Sequence, residues 1–323
     1  MKSDSVLTLD LKTKIIDSPS EDQEDFFSIN KEEKAVLLID VLKAIEKAKT
    51  DDKIKGISIE ADQINAGVTQ LDDIRNALID FKKSGKFVYA YGNSVSQGAY
   101  YLGSVADKYY LNPAGGIELK GLSAEVTFFK SFAEKCGIGI QVIRHGKFKA
   151  AVEPFLKDEI SPENKEQLST LLNDIWNNTS NKISASRKIP VSEFKTITDS
   201  LYGYLPNLSL QYKLADQLIQ KSEYDNIIKK KLNIDSDKKI NKISFAKYAE
   251  SDDTEGGKSK IAVLYASGAI NNGKGYDAIY SENFVKEIKR LQKDDDIKAV
   301  VFRINSPGGS ANASDQILFE MQQ

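Results

Sequence analysis

An internal repeat limits what this chain can fold into more than any other feature. The stretch DKIKGISIEADQINAGVTQLDDIRNAL begins at Asp52, and DDIKAVVFRINSPGGSANASDQILFEM begins at Asp295. Setting Asp52 against Asp295 fixes an offset of 243 residues. Ile54, Lys55, Asp72 and Ile74 then meet Ile297, Lys298, Asp315 and Ile317. Helix-like IDVLKAIEKAKT precedes the first copy and ENFVKEIKRLQK the second, while strand-like LTLDLKTKII and AVLYASGAI open them at a slightly different offset. Each copy reads strand, helix, strand, loop, helix. That alternation predicts an α/β fold with parallel strands joined by right-handed crossovers.

The strand types differ. SVLTLDL alternates Leu7, Leu9 and Leu11 with Val6, Thr8 and Asp10, which suits a half-covered strand. IKAVVFRI is nearly continuous in apolar residues, as in a parallel strand covered on both faces. The first copy continues through KFVYAYG as a strand, SQGAYYLGSVA as a helix and DKYYLNP as a short strand. Ser161 precedes a long helical stretch as its N-cap, with Pro162 at the first helical position and Leu168, Leu171, Leu172, Ile175 and Trp176 on one apolar face. The expected organisation is a first α/β domain over 1–235, a polar linker over 236–259, and a second, incomplete α/β domain over 260–323.

Composition removes several function classes. Lys and Arg number 45 against 47 Asp and Glu, giving a net charge of −2, so no basic excess points to nucleic acid. One cysteine, Cys136, and one histidine, His145, exclude an intramolecular disulfide and any multi-Cys or multi-His metal site within this chain. No cofactor is expected. No apolar run approaches the roughly 18 residues that span a bilayer, and the first residues carry no signal-peptide core, so the chain as it stands is expected to be soluble. The run GGKSK at 256–260 fails as a phosphate loop because Asp252 stands where that motif needs glycine.

Three stretches carry candidate chemistry. In HGKFKAAVEPF, residues 145–155, Lys147 and Lys149 alternate with Phe148, and small Ala150 and Ala151 follow. This reads either as an exposed basic loop, which composition alone favours, or as a lysine in tight, partly apolar surroundings. An ordinary lysine titrates near 10.4, so only about 0.04% is neutral at pH 7. Burial lowers that value by several units, and a neutral amine can then serve as base to a hydroxyl nucleophile. His145 is a second candidate base without an obvious partner. Ser94 and Ser96 precede a helix and read as nucleophiles or, more simply, as N-caps. Finally, NSPGGS at 305–310 is either a Pro-Gly turn capped by Ser310 or Asn312, or an oxyanion hole whose glycine N–H groups approach a developing negative charge.

Taken together, HGKFKAAVEPFLKDEISPENKE, IAVLYASGAINNG and IKAVVFRINSPGGSANASDQI resemble the signal peptide peptidase A family in its long, internally duplicated form. The resemblance covers nearly the whole chain, from Ser5 onward. It implies tandem Clp-protease/crotonase-like repeats, with the second repeat incomplete here, and an endopeptidase of Ser/Lys dyad type that degrades signal peptides or other membrane-associated peptides. It implies no metal and no cofactor. The lysine directly before AAVEPF, Lys149, is the general base by this resemblance, and Gly308 and Gly309 are backbone donors lining the substrate cleft. Gln97 stands at the first-repeat position equivalent to the family's nucleophilic serine. The repeat offset projects that serine to position 340, beyond Gln323, so the chain is expected to contain the lysine but no nucleophile and to be inactive alone. The resemblance further implies a homo-oligomer, a tetramer in the long form. It implies a parent protein in the bacterial inner membrane with an extracytoplasmic catalytic domain, attached through a segment absent here. Two other readings remain open on the residues: a crotonase-like acyl-CoA enzyme, which uses a similar oxyanion loop, and a non-catalytic scaffold of the same fold.

Overall fold

The structure, a computed structural model, describes residues 3–9, 14–18, 35–143, 145–249 and 259–323. The chain divides into two compact units, residues 1–15 with 33–250 and residues 16–32 with 251–323.

The first unit is built on a parallel six-stranded sheet. In chain order its first copy runs β1 (Ser5–Leu9), β2 (Ile15–Ile16), β3 (Val36–Leu37), α1 (Leu38–Thr50), β4 (Ile54–Ile59) and α2 (Val68–Lys82). It continues with β5 (Phe87–Val95), α3 (Gln97–Gly103) and β6 (Lys108–Ile117). Then come α4 (Lys130–Lys135), α5 (Glu153–Leu156), α6 (Pro162–Arg187), α7 (Val191–Asp199) and α8 (Pro206–Gln211). The unit closes with β7 (Gln217–Leu218), α9 (Lys221–Lys231), β8 (Asn241–Ser244) and α10 (Phe245–Ala249). Sheet order is β7-β6-β5-β4-β1-β8, every neighbour parallel. Alternate side chains go to opposite faces of a strand. Leu7, Leu9, Val88, Ala90, Tyr109 and Leu111 pack under α1, α2 and α3, while Val6, Phe87, Tyr91 and Tyr110 meet Tyr224 and Ile228 of α9. Helices on both faces make β1 a strand covered on both sides, not the half-covered strand its alternation predicts; Val6 and Leu7 are both fully buried.

The expected linker over 236–259 needs correction. Asn241–Ser244 pairs with β1 as the sheet's edge strand, and α10 buries Phe245 and Tyr248. A polar, alternating strand such as NKIS suits a sheet edge, where one side faces water, so its composition resembles that of a loop. Residues 250–258 of that stretch, with most of GGKSK, lie outside the described residues.

The second unit follows the order of the first copy: β9 (Lys260–Ser267), β10 (Ile270–Asn271), β11 (Ile279–Tyr280), α11 (Ser281–Gln292), β12 (Ile297–Asn305) and α12 (Ala311–Met321). β9 and β12 pair in parallel, as do β10 and β11. Ala266, Ile279, Ile288 and Ile317 form its small core, with Leu264, Phe284 and Phe302 against it. β12, predicted to be covered on both faces, has Val300 and Val301 45% and 49% exposed. Among the described residues only β9 pairs with it, so its other edge has no neighbouring strand. No described helix is long and apolar enough to cross a membrane.

Candidate active site

The glycine loop sits between β12 and α12. Ser310 caps the helix, its Oγ accepting from the Ala313 N–H at 3.2 Å, so Ser310 and not Asn312 is the cap. Gly308 has φ +102°, a left-handed conformation that favours glycine. Gly309 is required for a different reason: a Cβ there would stand 2.1 Å from the Ile270 carbonyl oxygen. That close approach is a parallel bridge. Ile270 N donates to the Gly308 carbonyl at 3.0 Å, and Ser310 N donates to the Ile270 carbonyl at 2.8 Å. Such a bridge turns the middle residue's own N–H away from its partner strand. The Gly308 N–H is engaged by Ser306 Oγ at 3.1 Å. The Gly309 N–H has no acceptor among the described residues, which makes it the available donor of the pair.

Lys149 lies in the first unit. Its side chain is exposed, as are those of Lys147, Phe148 and His145. Lys149 opens a single 3₁₀ turn, Ala150–Val152, which runs directly into α5. Glu153, the first residue of α5, is 1% exposed. Its Oε1 accepts from the Ser161 N–H at 3.2 Å and its Oε2 from Asn164 Nδ2 at 2.7 Å, with Lys157 Nζ at 3.4 Å. Burial pushes this carboxyl up, but the bonds from Ser161 and Asn164 and the nearby Lys157 ammonium outweigh it, so the group is held below the usual carboxylate range. Ser161 caps α6, accepting from the Asn164 N–H at 3.2 Å. The Pro154 carbonyl accepts from Phe129 N at 2.7 Å, and the Phe155 ring stacks on Phe129 with centroids 5.9 Å apart. Beside this turn an open groove of about 320 Å³ runs between residues 124–128 and the start of α6, lined by Val126, Phe128, Ile160, Leu168 and Leu172 with Lys165 among them.

The two candidate serines separate. Ser96 caps α3, its Oγ accepting from Ala99 N at 3.3 Å, whereas Ser94 is an exposed residue of β5 and caps nothing. Gln97 commits its side chain to the loop after β6. Its Oε1 accepts from the N–H groups of Lys120 and Gly121, each at 3.1 Å, and its Nε2 donates to the Gly121 carbonyl at 3.2 Å. Lys149 thus belongs to one unit and Gly308 and Gly309 to the other. Among the described residues no three His, Cys, Asp or Glu side chains gather as metal ligands.

Two buried charges escape the reading of the sequence. Glu153 stands between apolar Val152 and Pro154-Phe155, a charge in an apolar run four residues after Lys149. Arg75 falls on the apolar stripe of α2 with Leu71, Ile74 and Leu78 and is 1% exposed. It donates to Ser104 Oγ at 2.8 Å, the Lys182 carbonyl at 2.8 Å, Ser186 Oγ at 2.6 Å and, more closely, to the Tyr101 carbonyl, so it ties α2 and α3 to the C-terminal half of α6. A charge placed among apolar residues is the available signal in both cases.

Residues 80–235 match peptidase family S49. The chain is 33% identical to Protease 4 of Salmonella typhi over 88% of its own length and 47% of that protein's. It is 32% identical to Protease 4 of Haemophilus influenzae over 100% of its length and 55% of that protein's. It is also 31% identical to the chloroplastic serine protease SPPA of Arabidopsis thaliana, over 85% of this chain and 42% of that one. The chain spans about half the length of these relatives.

Proposed function

We propose, for a chain that is a relative of the SppA-type peptidases of family S49, a Ser/Lys endopeptidase in which residues 1–323 supply the base and an oxyanion donor. The observation that carries the reading is the Gly309 N–H, held by the Ile270 bridge at a helix start and left with no acceptor among the described residues. A donor fixed in advance stabilises a tetrahedral oxyanion without reorganising, typically about 10²–10³ in rate. Lys149 in its neutral form takes the proton of a serine hydroxyl as that oxygen attacks the scissile carbonyl. The resulting ammonium returns the proton to the leaving amine, and water then cleaves the acyl-enzyme by the reverse route. Because Lys149 is exposed in the first unit, the reading requires that a surface outside that unit cover it.

We infer a serine beyond residue 323, where the repeat offset projects it, because Gln97, at the first-copy nucleophile position, has no nucleophilic group and is committed to residues 120 and 121. On this reading the chain alone is inactive. The substrates are signal peptides or other membrane-associated peptides. The whole protein is a homo-oligomer, a tetramer by resemblance, attached to the inner membrane through sequence outside 1–323 with its catalytic domain extracytoplasmic.

The test uses the full-length protein. Lys149→Ala is expected to abolish hydrolysis of a signal-peptide-like substrate with the fold retained, and Lys147→Ala to leave it intact. A serine-directed acylating probe is expected to label a serine beyond 323. Label on Ser94 or Ser96, or full turnover by Lys149→Ala, overturns the reading.

A further inference from the structure

We propose that Glu153 is a positioning residue for Lys149, fixing the turn that carries the lysine to the first turn of α6; the inference rests on Lys149 being the base. A carboxylate that is 1% exposed is costly unless its oxygens are satisfied, and both oxygens of Glu153 are engaged by one helix start: Ser161 N–H on Oε1, Asn164 Nδ2 on Oε2. Ser161 and Asn164 are themselves joined through the N-cap bond, so the three residues form a closed clamp. The positive end of the α6 dipole favours the charge.

From Glu153 back to Lys149 the chain is a 3₁₀ turn and nothing longer, so little slack separates the clamp from the lysine backbone. At its other half, α6 is pinned by Arg75 through the Lys182 carbonyl and Ser186 Oγ. The helix is 26 residues, about 39 Å of stiff rod, and it carries the order of α2 and α3 out to an otherwise exposed segment. Phe129 adds a second restraint through the Pro154 carbonyl and the Phe155 ring, and Ser131 N donates to Asp158 Oδ1 at 3.1 Å. A glutamine at 153 keeps the volume but presents only one accepting oxygen, so it releases one arm of the clamp. Misplacing a catalytic group by about 1 Å costs on the order of 100-fold.

The experiment compares Glu153→Gln, Glu153→Asp and Asn164→Ala in the full-length protein, each also combined with Lys149→Ala. A signal-peptide-like substrate is followed for kcat and KM, and the fold is checked by thermal melting. Glu153→Gln is expected to lower kcat roughly 10–100-fold with KM within about twofold. Asn164→Ala, which leaves the carboxylate in place, is expected to lose less, and Glu153→Asp to recover part of the loss. In the Lys149→Ala background, Glu153→Gln is expected to add no further loss. A second readout needs no turnover: the rate at which an amine-reactive reagent modifies Lys149, relative to Lys147, should change in Glu153→Gln. Wild-type kcat in both Glu153→Gln and Asn164→Ala, a loss confined to KM, or an unchanged Lys149 labelling ratio overturns the positioning role while leaving the base assignment standing. Full turnover by Lys149→Ala overturns the base assignment itself, and the positioning role with it.

Discussion

The two copies share their backbone pairing down to an irregularity, and differ where side chains meet the loop. In the first copy Ser5 pairs with Ile54 and Val6 with Gly56, so Lys55 is skipped; in the second, Lys260 pairs with Ile297 and Ile261 with Ala299, so Lys298 is skipped. Lys55 and Lys298 are equivalent at the 243-residue offset. The bond from Ile15 N to the Asn65 carbonyl at 2.9 Å has its counterpart in Ile270 N to the Gly308 carbonyl at 3.0 Å. The slight change of offset between opening strands and repeats has one source. Ile16 to Val36 spans 20 positions where Asn271 to Ile279 spans 8. Side chains diverge instead. Gln63-Ile64-Asn65-Ala66-Gly67 stands against Ser306-Pro307-Gly308-Gly309-Ser310, Arg75 against Leu318, and Glu60 against Arg303. Duplicated backbone geometry has therefore been kept while the side chains at equivalent positions diverged, those of the first copy into a polar, interlocked network around Arg75 and Glu60.

The largest expected effect comes from moving a second-copy residue into the first. Arg75→Leu removes the donors to the Tyr101 and Lys182 carbonyls and to two hydroxyls, and should destabilise the first unit by roughly 3 kcal/mol. Fluorescence of Trp176, the one tryptophan, which lies 6.3 Å from Phe194 in that unit, reports it in denaturant. A loss below about 1 kcal/mol would show the network to be dispensable.

Next is Gly309→Ala, which brings the first copy's Ala66 into the second. The new Cβ overlaps the Ile270 carbonyl, so the bridge must open at a cost of about 2 kcal/mol, read as faster amide exchange at Ser310 and in α12. The reverse change, Ala66→Gly, should cost no more than about 1 kcal/mol.

Acid separates the copies further. Burial pushes the Glu60 carboxyl up, but Lys242 at 2.7 Å, Ser58 Oγ at 2.8 Å and Lys221 at 3.1 Å prevail and hold it below the usual range. A depressed carboxylate contributes stability that is present above its unfolded value, near 4.3, and is lost as pH falls through the folded value. Trp176-monitored stability should therefore drop below about pH 4, less steeply in Glu60→Gln. Acid dependence unchanged in that variant would assign it to other carboxylates.

The smallest effects test likeness. Ser96→Ala and Ser310→Ala each remove one N-cap bond and should each cost about 1 kcal/mol in their own unit. A much larger loss at Ser310 would mean the glycine loop depends on its cap.

Local signals are legible in the residues themselves. Ser161, Ser96 and Ser310 cap their helices because the first turn of a helix imposes the same need for an acceptor everywhere. The α/β alternation is legible because crossover helices and buried strands have different periods. What escapes such reading is whatever depends on partners far along the chain. Val6 is buried by Tyr224, more than two hundred residues away, so the opening strand has a second covering layer that its own alternation does not announce. Asn241–Ser244 reads as linker because an edge strand facing water has loop-like composition. Lys149 stands out by its neighbours, yet those neighbours leave it exposed; the buried partner in the motif is Glu153, whose bonds depend on how the chain returns at Ser161.

The pairing of β8 with β1 has a consequence in time as well as in space. Ser5 lies beside Asn241 and Leu7 beside Ile243, so the first strand of this unit to be synthesised gains one of its two neighbours only when the last strand of the unit has been made. At about 5–20 residues per second, that interval is on the order of ten seconds or more. Until then Val6 and Leu7 belong to an unfinished edge, and the nascent chain is a substrate for any chaperone that binds apolar strands. Completion of the sheet at residue 244 joins the beginning and end of the unit in one step, so its folding is set by synthesis of the whole.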